Sequence, residues 1–215
     1  MKIFSIFNSI SGEVGNVPQG TLTTFVRLAG CNLRCSFCDT PKTWTEEGAV
    51  DMSPEEIVAK VREIGAGHVL VTGGEPMMQP NTKRLLSLLL DQEYSVSVET
   101  NGSMPIPGLP DVNWIVDYKL PDSGMSHMMK TEVFAGLPPT AWIKFVCASM
   151  FDLKDAIEVI ATLKGFGLRQ FAVSPVLGKI DPVKMIEYLQ AGKHFDIVFS
   201  LQIHKFIWPE GETEK

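Results

Sequence analysis

Cys31-Asn32-Leu33-Arg34-Cys35-Ser36-Phe37-Cys38 places three cysteines on one short stretch, spaced by four and then three residues. Cysteine thiolates ligate iron–sulfur clusters, and a structural [4Fe–4S] cluster takes four of them. Three thiolates hold three corners of a cubane and leave the fourth iron open, where a small molecule can bind. Phe37, just before the last cysteine, is placed to shield such a cluster from water. Two other readings stand beside this one. The three thiols can close a structural zinc site with one of His68, His127, His194 or His204, or they can form a disulfide or remain inert. What surrounds the loop decides between them.

The loop follows a β-rich apolar run over residues 23–28. Similar short runs recur at 68–72, 95–99, 114–118, 142–146, 171–174 and 196–201. Val69-Leu70-Val71 and Ile115-Val116 are continuously apolar. That pattern belongs to strands covered on both faces, as in parallel sheets. Helical patterns lie between the runs. Ser53-Pro54-Glu55-Glu56 is a capping box leading into the apolar stripe Ile57, Val58, Val61 and Ile64. Asn81 is a candidate cap for a helix carrying Leu85, Leu86, Leu88 and Leu89. Asp152 opens one that ends before Gly165, and Asp181-Pro182 opens another. Residues 101–113 are rich in Pro and Gly, and 121–140 leave room for only a short helix. Repeated strand–helix order predicts an α/β fold. The expectation is a partial, incomplete TIM-like barrel of mainly parallel strands with reduced helices, in a single domain over residues 1–215.

In such folds functional groups gather at the C-terminal ends of the strands. The cysteine loop follows the first of these strands. Gly73-Gly74-Glu75-Pro76 follows the second, Glu99-Thr100-Asn101-Gly102 the third and Asp117-Tyr118-Lys119 the fourth. This shared polarity predicts one site. An open iron beside a glycine-rich strand end suits S-adenosylmethionine, whose amino and carboxylate groups can chelate it. Gly73 and Gly74 permit close backbone approach, and Glu75 can accept from a ligand ammonium directly or order the loop. Taken alone, Gly-Gly-Glu-Pro is also an ordinary strand-ending turn.

Composition narrows the class. The 215 residues are 45% hydrophobic and 20% charged, ordinary for a globular chain, and the net charge is −6. An acidic chain argues against duplex nucleic acid as partner. The N-terminus lacks a signal-peptide pattern and no apolar run reaches bilayer length, so no membrane partner is expected. Four cysteines, three of them clustered, do not form a secreted disulfide scaffold, and a reducing cytoplasm is the expected location. Cys147, the fourth, ends an apolar run and reads as a buried inert thiol.

Cys-x3-Cys-x2-Cys followed by Gly-Gly-Glu-Pro resembles the radical S-adenosylmethionine superfamily. Further segments resemble the 7-carboxy-7-deazaguanine synthase family: Ile6-Phe7-Asn8-Ser9-Ile10-Ser11-Gly12-Glu13, Phe25-Val26-Arg27-Leu28-Ala29-Gly30-Cys31-Asn32-Leu33, Cys38-Asp39-Thr40, Val71-Thr72-Gly73-Gly74-Glu75-Pro76, Glu99-Thr100-Asn101-Gly102 and Leu201-Gln202-Ile203-His204-Lys205. The resemblance implies a lyase that converts 6-carboxy-5,6,7,8-tetrahydropterin to 7-carboxy-7-deazaguanine with loss of ammonia, for queuosine and related deazapurines. It implies a 5′-deoxyadenosyl radical that takes hydrogen from carbon six of the pterin and later returns it. The implied cofactors are a [4Fe–4S] cluster, S-adenosylmethionine and magnesium. The implied partners are the pterin substrate, a flavodoxin-like electron donor and a second copy in a homodimer.

Site residues carry over from the resemblance by position. Cys31, Cys35 and Cys38 match the cluster ligands. Phe37, Cys38, Asp39, Gly74, Glu75, Asp117, Tyr118, Lys119, Ser174, Pro175, Val176 and Leu177 match the S-adenosylmethionine site. Thr40 matches a magnesium ligand, in keeping with the oxygen donors magnesium prefers. Ile10, Ser11, Gly12, Arg27 and Thr72 match the substrate site. Arg27 shares a strand face with Phe25 and its planar guanidinium suits a carboxylate, while a surface pair with Glu13 is the plainer alternative. Ser11 stands where relatives carry glutamine, with Glu13 or water as substitutes, and only Lys119 is retained where relatives often carry Ser-Pro-Lys. Pro209 aligns with a substrate-proximal end, and this sequence continues beyond it. His204 and Lys205 are candidates to face the site or to lie solvated at a strand end.

Overall fold

The computed structural model describes residues 1–208. Nine strands form one sheet: β1 (Lys2–Ile10), β2 (Leu22–Leu28), β3 (Val50–Asp51), β4 (His68–Gly73), β5 (Ser95–Thr100), β6 (Asn113–Tyr118), β7 (Trp142–Cys147), β8 (Gln170–Pro175) and β9 (Ile197–Phe199). Their order is β3-β1-β2-β4-β5-β6-β7-β8-β9. From β2 to β9 every pairing is parallel. This is the expected partial barrel, with an addition at one edge: β1 pairs antiparallel with β2, and the two-residue β3 with β1. The sequence reading left β1 without a strand assignment. Its residues are half-buried on both faces, so neither alternation nor a continuous apolar run marks it.

The helices follow their local signals with two differences. α1 (Pro54–Ile64) carries the capping box, with Ser53 Oγ accepting from Glu56 N and Glu56 Oε2 accepting from Ser53 N. α2 (Thr82–Asp91) has no side-chain cap from Asn81. Instead Thr82 Oγ1 donates to Pro76 O at 2.6 Å and ties the helix to the turn after β4. α3 (Thr131–Ala135) is the short helix expected in that connection. α4 (Met150–Lys164) begins before Asp152, with Ser149 as its cap. Asp152 is buried and its carboxylate accepts from Ala148 N and Asp122 N, joining two loops. α5 (Pro182–Ala191) is capped by Asp181, which accepts from Val183 N. α6 (His204–Ile207) follows β9.

The alternation along each strand sorts the side chains. Val26, Leu28, Val69, Val71, Val96 and Val98 are buried in one core with Ile57, Val61, Leu85, Leu86 and Leu89 of α1 and α2. Residues on the other face point into the barrel. Deep inside, Thr23, His68 and Ser97 form a buried polar layer, with Thr23 Oγ1 2.8 Å from His68 Nδ1 and His68 Nε2 2.8 Å from Ser97 Oγ. The connection between β1 and β2 plugs this end. Gly15 packs on Ile115, and Asn16 bonds to Asn113 and Trp142 at the starts of β6 and β7.

Among the described residues the sheet does not close on itself by strand pairing. The chain after β9 bridges the gap instead. Ile203 N donates to Gly12 O at 3.1 Å. Gln19 Nε2 donates to both Gly12 O and Leu201 O. Residues 201–208 therefore form one wall of the barrel interior.

Candidate active site

β2 delivers the chain to Gly30, whose φ of +89° turns it into the cysteine loop. The loop is held by its backbone: Gly30 N donates to Thr43 O, Cys31 N to Trp44 O, Cys38 N to Cys35 O and Ser36 N to Ser123 O. Leu33, 1% exposed, anchors it to the interior. The end of β4 lies directly against it, with Gly74 N donating to Leu28 O at 2.9 Å and Glu75 N to Gly30 O at 2.8 Å. A Cβ on Gly73 would strike the Leu28 backbone, and one on Gly74 the Gly30 backbone. The paired glycines therefore serve the fit of the chain to itself.

Glu75 is fully buried and its carboxylate is spent on the same task. Oε1 accepts from Met77 N and Thr100 Oγ1, and Oε2 from Asn101 N. Burial raises its pKa, and those three donors oppose the rise. Asn101, so placed, donates through Nδ2 to Asn32 Oδ1 at 3.0 Å and reaches Cys31 Sγ at 3.7 Å.

Cys31, Cys35 and Cys38 are free thiols and line one cavity. Among the described residues, no three His, Cys, Asp or Glu side chains converge as ligands of a single ion. Three thiols on one loop in one cavity suit a cubane, which would take each thiolate on a different iron. Burial pushes the thiols of Cys35 and Cys38 up, while the Lys119 cation pulls that of Cys35 down. Cluster assembly must remove those protons.

The cavity holds about 530 Å³. Strand register builds its floor: Arg27 of β2 pairs with Thr72 of β4, and Asp117 of β6 with Lys144 of β7. Glu99 of β5 accepts from Thr72 Oγ1 at 3.0 Å. Arg27 lies 5.5 Å over the Phe7 ring, which stacks on Phe25. Its Nη1 donates to Thr40 Oγ1 at 3.4 Å, but the buried Nε has no partner among the described residues. An unpartnered guanidinium nitrogen inside a cavity suits an anionic ligand. Ser174 Oγ is likewise buried without a partner, on the strand face it shares with cavity-lining Val146.

One chain of charged and polar contacts runs around the wall. Lys119 Nζ meets Asp117 Oδ2 at 2.7 Å, and Lys144 Nζ meets Asp117 Oδ1 at 3.2 Å. Lys144 Nζ also pairs with Glu13 Oε2, whose other oxygen accepts from Gln202 Nε2. Gln202 Oε1 accepts from Lys205 Nζ, which lies 3.7 Å from Asp39 Oδ2. Asp39 Oδ1 accepts from Thr40 Oγ1 at 2.8 Å. Burial works against ionisation of Asp117, but Lys119 and Lys144 hold its carboxyl below the usual value. Asp39, whose side chain is about half exposed, is lowered as well, partial desolvation opposing the shift and Lys205 overcoming it. Glu99 goes the other way. Its burial and the negative charge of Glu13 push it up to about 7.

The structure gathers most residues assigned from the sequence. Phe37, Cys38, Asp39, Thr40, Gly74, Asp117, Lys119, Val176, Leu177, Ile10, Gly12, Arg27 and Thr72 line the cavity, as do His204 and Lys205. Five others stand behind it or point away. Glu75 orders the loop, as described. Tyr118 packs on Phe134 and Phe145 in the core, because its neighbours Asp117 and Lys119 occupy the opposite strand face. Ser11 is buried, its backbone paired with Gly20 and Thr21. Ser174 and Pro175 are buried in β8 beneath Val176. Pro209 lies outside the described residues. Lys144 and Gln202 were missed. A lone lysine inside the apolar run Trp142-Ile143-Lys144-Phe145-Val146 was the available signal, since a buried lysine requires a partner.

The chain is similar to known proteins in sequence and in fold. Residues 26–114 match the radical SAM superfamily. The chain is 39% identical to the 7-carboxy-7-deazaguanine synthase of Clostridium acetobutylicum, over 96% of each chain. It is 37% identical to that of Chlorobaculum tepidum over 97% of this chain and 94% of the relative. It is 36% identical to that of Methanospirillum hungatei over 96% and 85%. In fold it is similar to crystalline QueE from Escherichia coli, with a TM-score of 0.77 at 24% identity over 93% of this chain and 92% of that one.

Proposed function

The chain belongs to the 7-carboxy-7-deazaguanine synthase family of radical SAM enzymes, and on that premise we propose that it converts 6-carboxy-5,6,7,8-tetrahydropterin to 7-carboxy-7-deazaguanine with loss of ammonia, in queuosine and deazapurine biosynthesis. The observation that supports the substrate reading is Arg27: a half-buried guanidinium whose Nε has no partner among the described residues, set in the same cavity as the three thiols. The [4Fe–4S] cluster and S-adenosylmethionine, when bound, supply the radical chemistry. Cys31, Cys35 and Cys38 hold the cluster. Gly74, Asp117, Lys119, Val176 and Leu177 border the space for S-adenosylmethionine, and Ser174 Oγ is a spare donor behind it.

On the substrate side, Arg27 pairs with the pterin carboxylate, and Phe7 and Phe25 exclude water from that pair. Glu13, Glu99 and Thr72 face the ring. Glu99 is able to take or give a proton near neutrality, and loss of ammonia requires a proton to reach the leaving nitrogen. Thr40 Oγ1 and the Asp39 carboxylate offer adjacent oxygens that would hold magnesium, a cation that prefers oxygen ligands. A flavodoxin-like donor, a homodimeric assembly and a reducing cytoplasm complete the proposal. No helix among the described residues is long and apolar enough to cross a membrane.

The test is direct. Reduced, cluster-loaded protein with S-adenosylmethionine, magnesium and 6-carboxytetrahydropterin is expected to yield 7-carboxy-7-deazaguanine with little net loss of S-adenosylmethionine. Stoichiometric consumption of S-adenosylmethionine without that product overturns the reading.

A further inference from the structure

Lys144 sits where the two halves of the site meet. It is 5% exposed and lies on β7 among apolar neighbours. Its ammonium touches two carboxylates that come from separate parts of the chain. Glu13, from the connection after β1, belongs to the half lined by Ile10, Gly12 and Arg27. Asp117, from the end of β6, belongs to the half lined by Lys119 and the cysteine loop. Burial alone would strip the proton from this lysine, but Asp117, Glu13 and Glu99 together hold its pKa well above the ordinary value. Each carboxylate keeps its second oxygen on a different neighbour, Gln202 for Glu13 and Lys119 for Asp117.

We propose that Lys144 is a positioning residue for both ligands, a buried cation that fixes the substrate-side Glu13 against the cofactor-side Asp117. The inference rests on the reading of the two halves given above. Lys144 needs no contact with either ligand to act this way. It sets where two walls of the cavity stand relative to each other. Without it Glu13, Asp117 and Glu99 face one another across the interior with one cation fewer, and like charges in a buried site repel until one takes a proton. The other charged groups that face this cluster are Arg27 from β2, Lys119 beside Asp117, and Asp39, His204 and Lys205 from the cysteine loop and the C-terminal wall.

The distinguishing mark is a loss that acid repairs. Cluster-loaded wild type, Lys144→Met, Lys144→Arg and the double variant Lys144→Met/Glu13→Gln are compared by anaerobic calorimetry at pH 8 and pH 6. S-adenosylmethionine and, in the absence of reductant, 6-carboxytetrahydropterin are the probes. Lys144→Met is expected to bind both probes about tenfold more weakly at pH 8 and to recover most of that at pH 6, as a carboxylate takes up a proton. Lys144→Arg keeps the cation and stays within about threefold of wild type. The double variant removes one of the facing carboxylates and binds S-adenosylmethionine, which Glu13 does not border, more tightly than Lys144→Met at pH 8. Loss of equal size at both pH values marks a merely structural role and overturns the proposal, as does loss confined to one probe. If Lys144→Met does not fold, failure of either Lys144→Arg to bind or the double variant to fold overturns it too. Binding is read without turnover. A protein that fails to make the deazaguanine yet shows this pattern sinks the functional reading and leaves this one standing.

Discussion

A methyl group on Gly74 would run into the Gly30 carbonyl and crowd that of Thr43. Those atoms belong to the backbone that carries Cys31, so they cannot move aside without moving the cluster loop. Gly74→Ala is expected to cost about 1–3 kcal/mol of stability. It is also expected to lower the iron bound per chain on reconstitution. Iron analysis and thermal melting check this, and unchanged values for both show that the two loops have slack. Gly74 was legible in the sequence as a residue demanding close approach. That the approaching partner is the chain's own cysteine loop was not, because the contact joins residues distant along the chain. Tyr118 teaches the same lesson at one remove. Position along the motif placed it with Asp117 and Lys119, but alternation along β6 sends it into the core against Phe134 and Phe145.

Among the elements, β2, β4 and β5 share an inward polar layer of Thr23, His68 and Ser97. Thr23 Oγ1 donates its one proton to Thr21 O, so it accepts from His68 Nδ1, and His68 Nε2 accepts from Ser97 Oγ. The ring is thus satisfied as a neutral imidazole. Burial lowers its pKa to about 4 from the ordinary 6.5. An unfolded chain binds a proton that the folded one refuses between these values. The contribution to stability is therefore complete above pH 6.5 and is lost as pH falls towards 4, about 3 kcal/mol in all. Glu99 acts in the opposite sense, its share complete below about pH 4.5 and lost as pH rises through about 7. Denaturant unfolding of wild type and His68→Asn at pH 7 and pH 5 isolates the histidine. Wild type is expected to lose more stability than the variant over that interval, and equal losses exclude the assignment. The helices repeat the contrast between local and distant causes. The Ser53–Glu56 capping box formed as read, since its partners are three residues apart. Asp152 went instead to Ala148 and Asp122, and Ser149 took the cap.

For the molecule as a whole, the open side of the barrel is the feature that shapes function. Gln19 Nε2 donates at 3.1 Å to Gly12 O and at 2.8 Å to Leu201 O, so one amide group ties the β1–β2 connection to the C-terminal wall. Gln202, His204 and Lys205 enter the cavity from that wall. Gln19→Ala removes two hydrogen bonds worth about 1 kcal/mol each. It is expected to raise the KM for the pterin severalfold and to speed amide exchange over residues 200–208, with iron content unchanged. Unaltered exchange there shows that the wall stands without Gln19. The sequence by itself determined the cysteine loop, the parallel strand–helix repeat with its thinned helices, and the polarity that puts functional groups at the strand ends. These depend on neighbours within a few residues, where spacing and periodicity act directly. Only the tertiary structure decided the antiparallel β1, the closing of the barrel by the C-terminal segment, and the pairing of Lys144 with Glu13 and Asp117. Those contacts join segments up to 189 residues apart, as between Glu13 and Gln202. Burial and charge balance fix them only once the sheet has curled and brought its edges together.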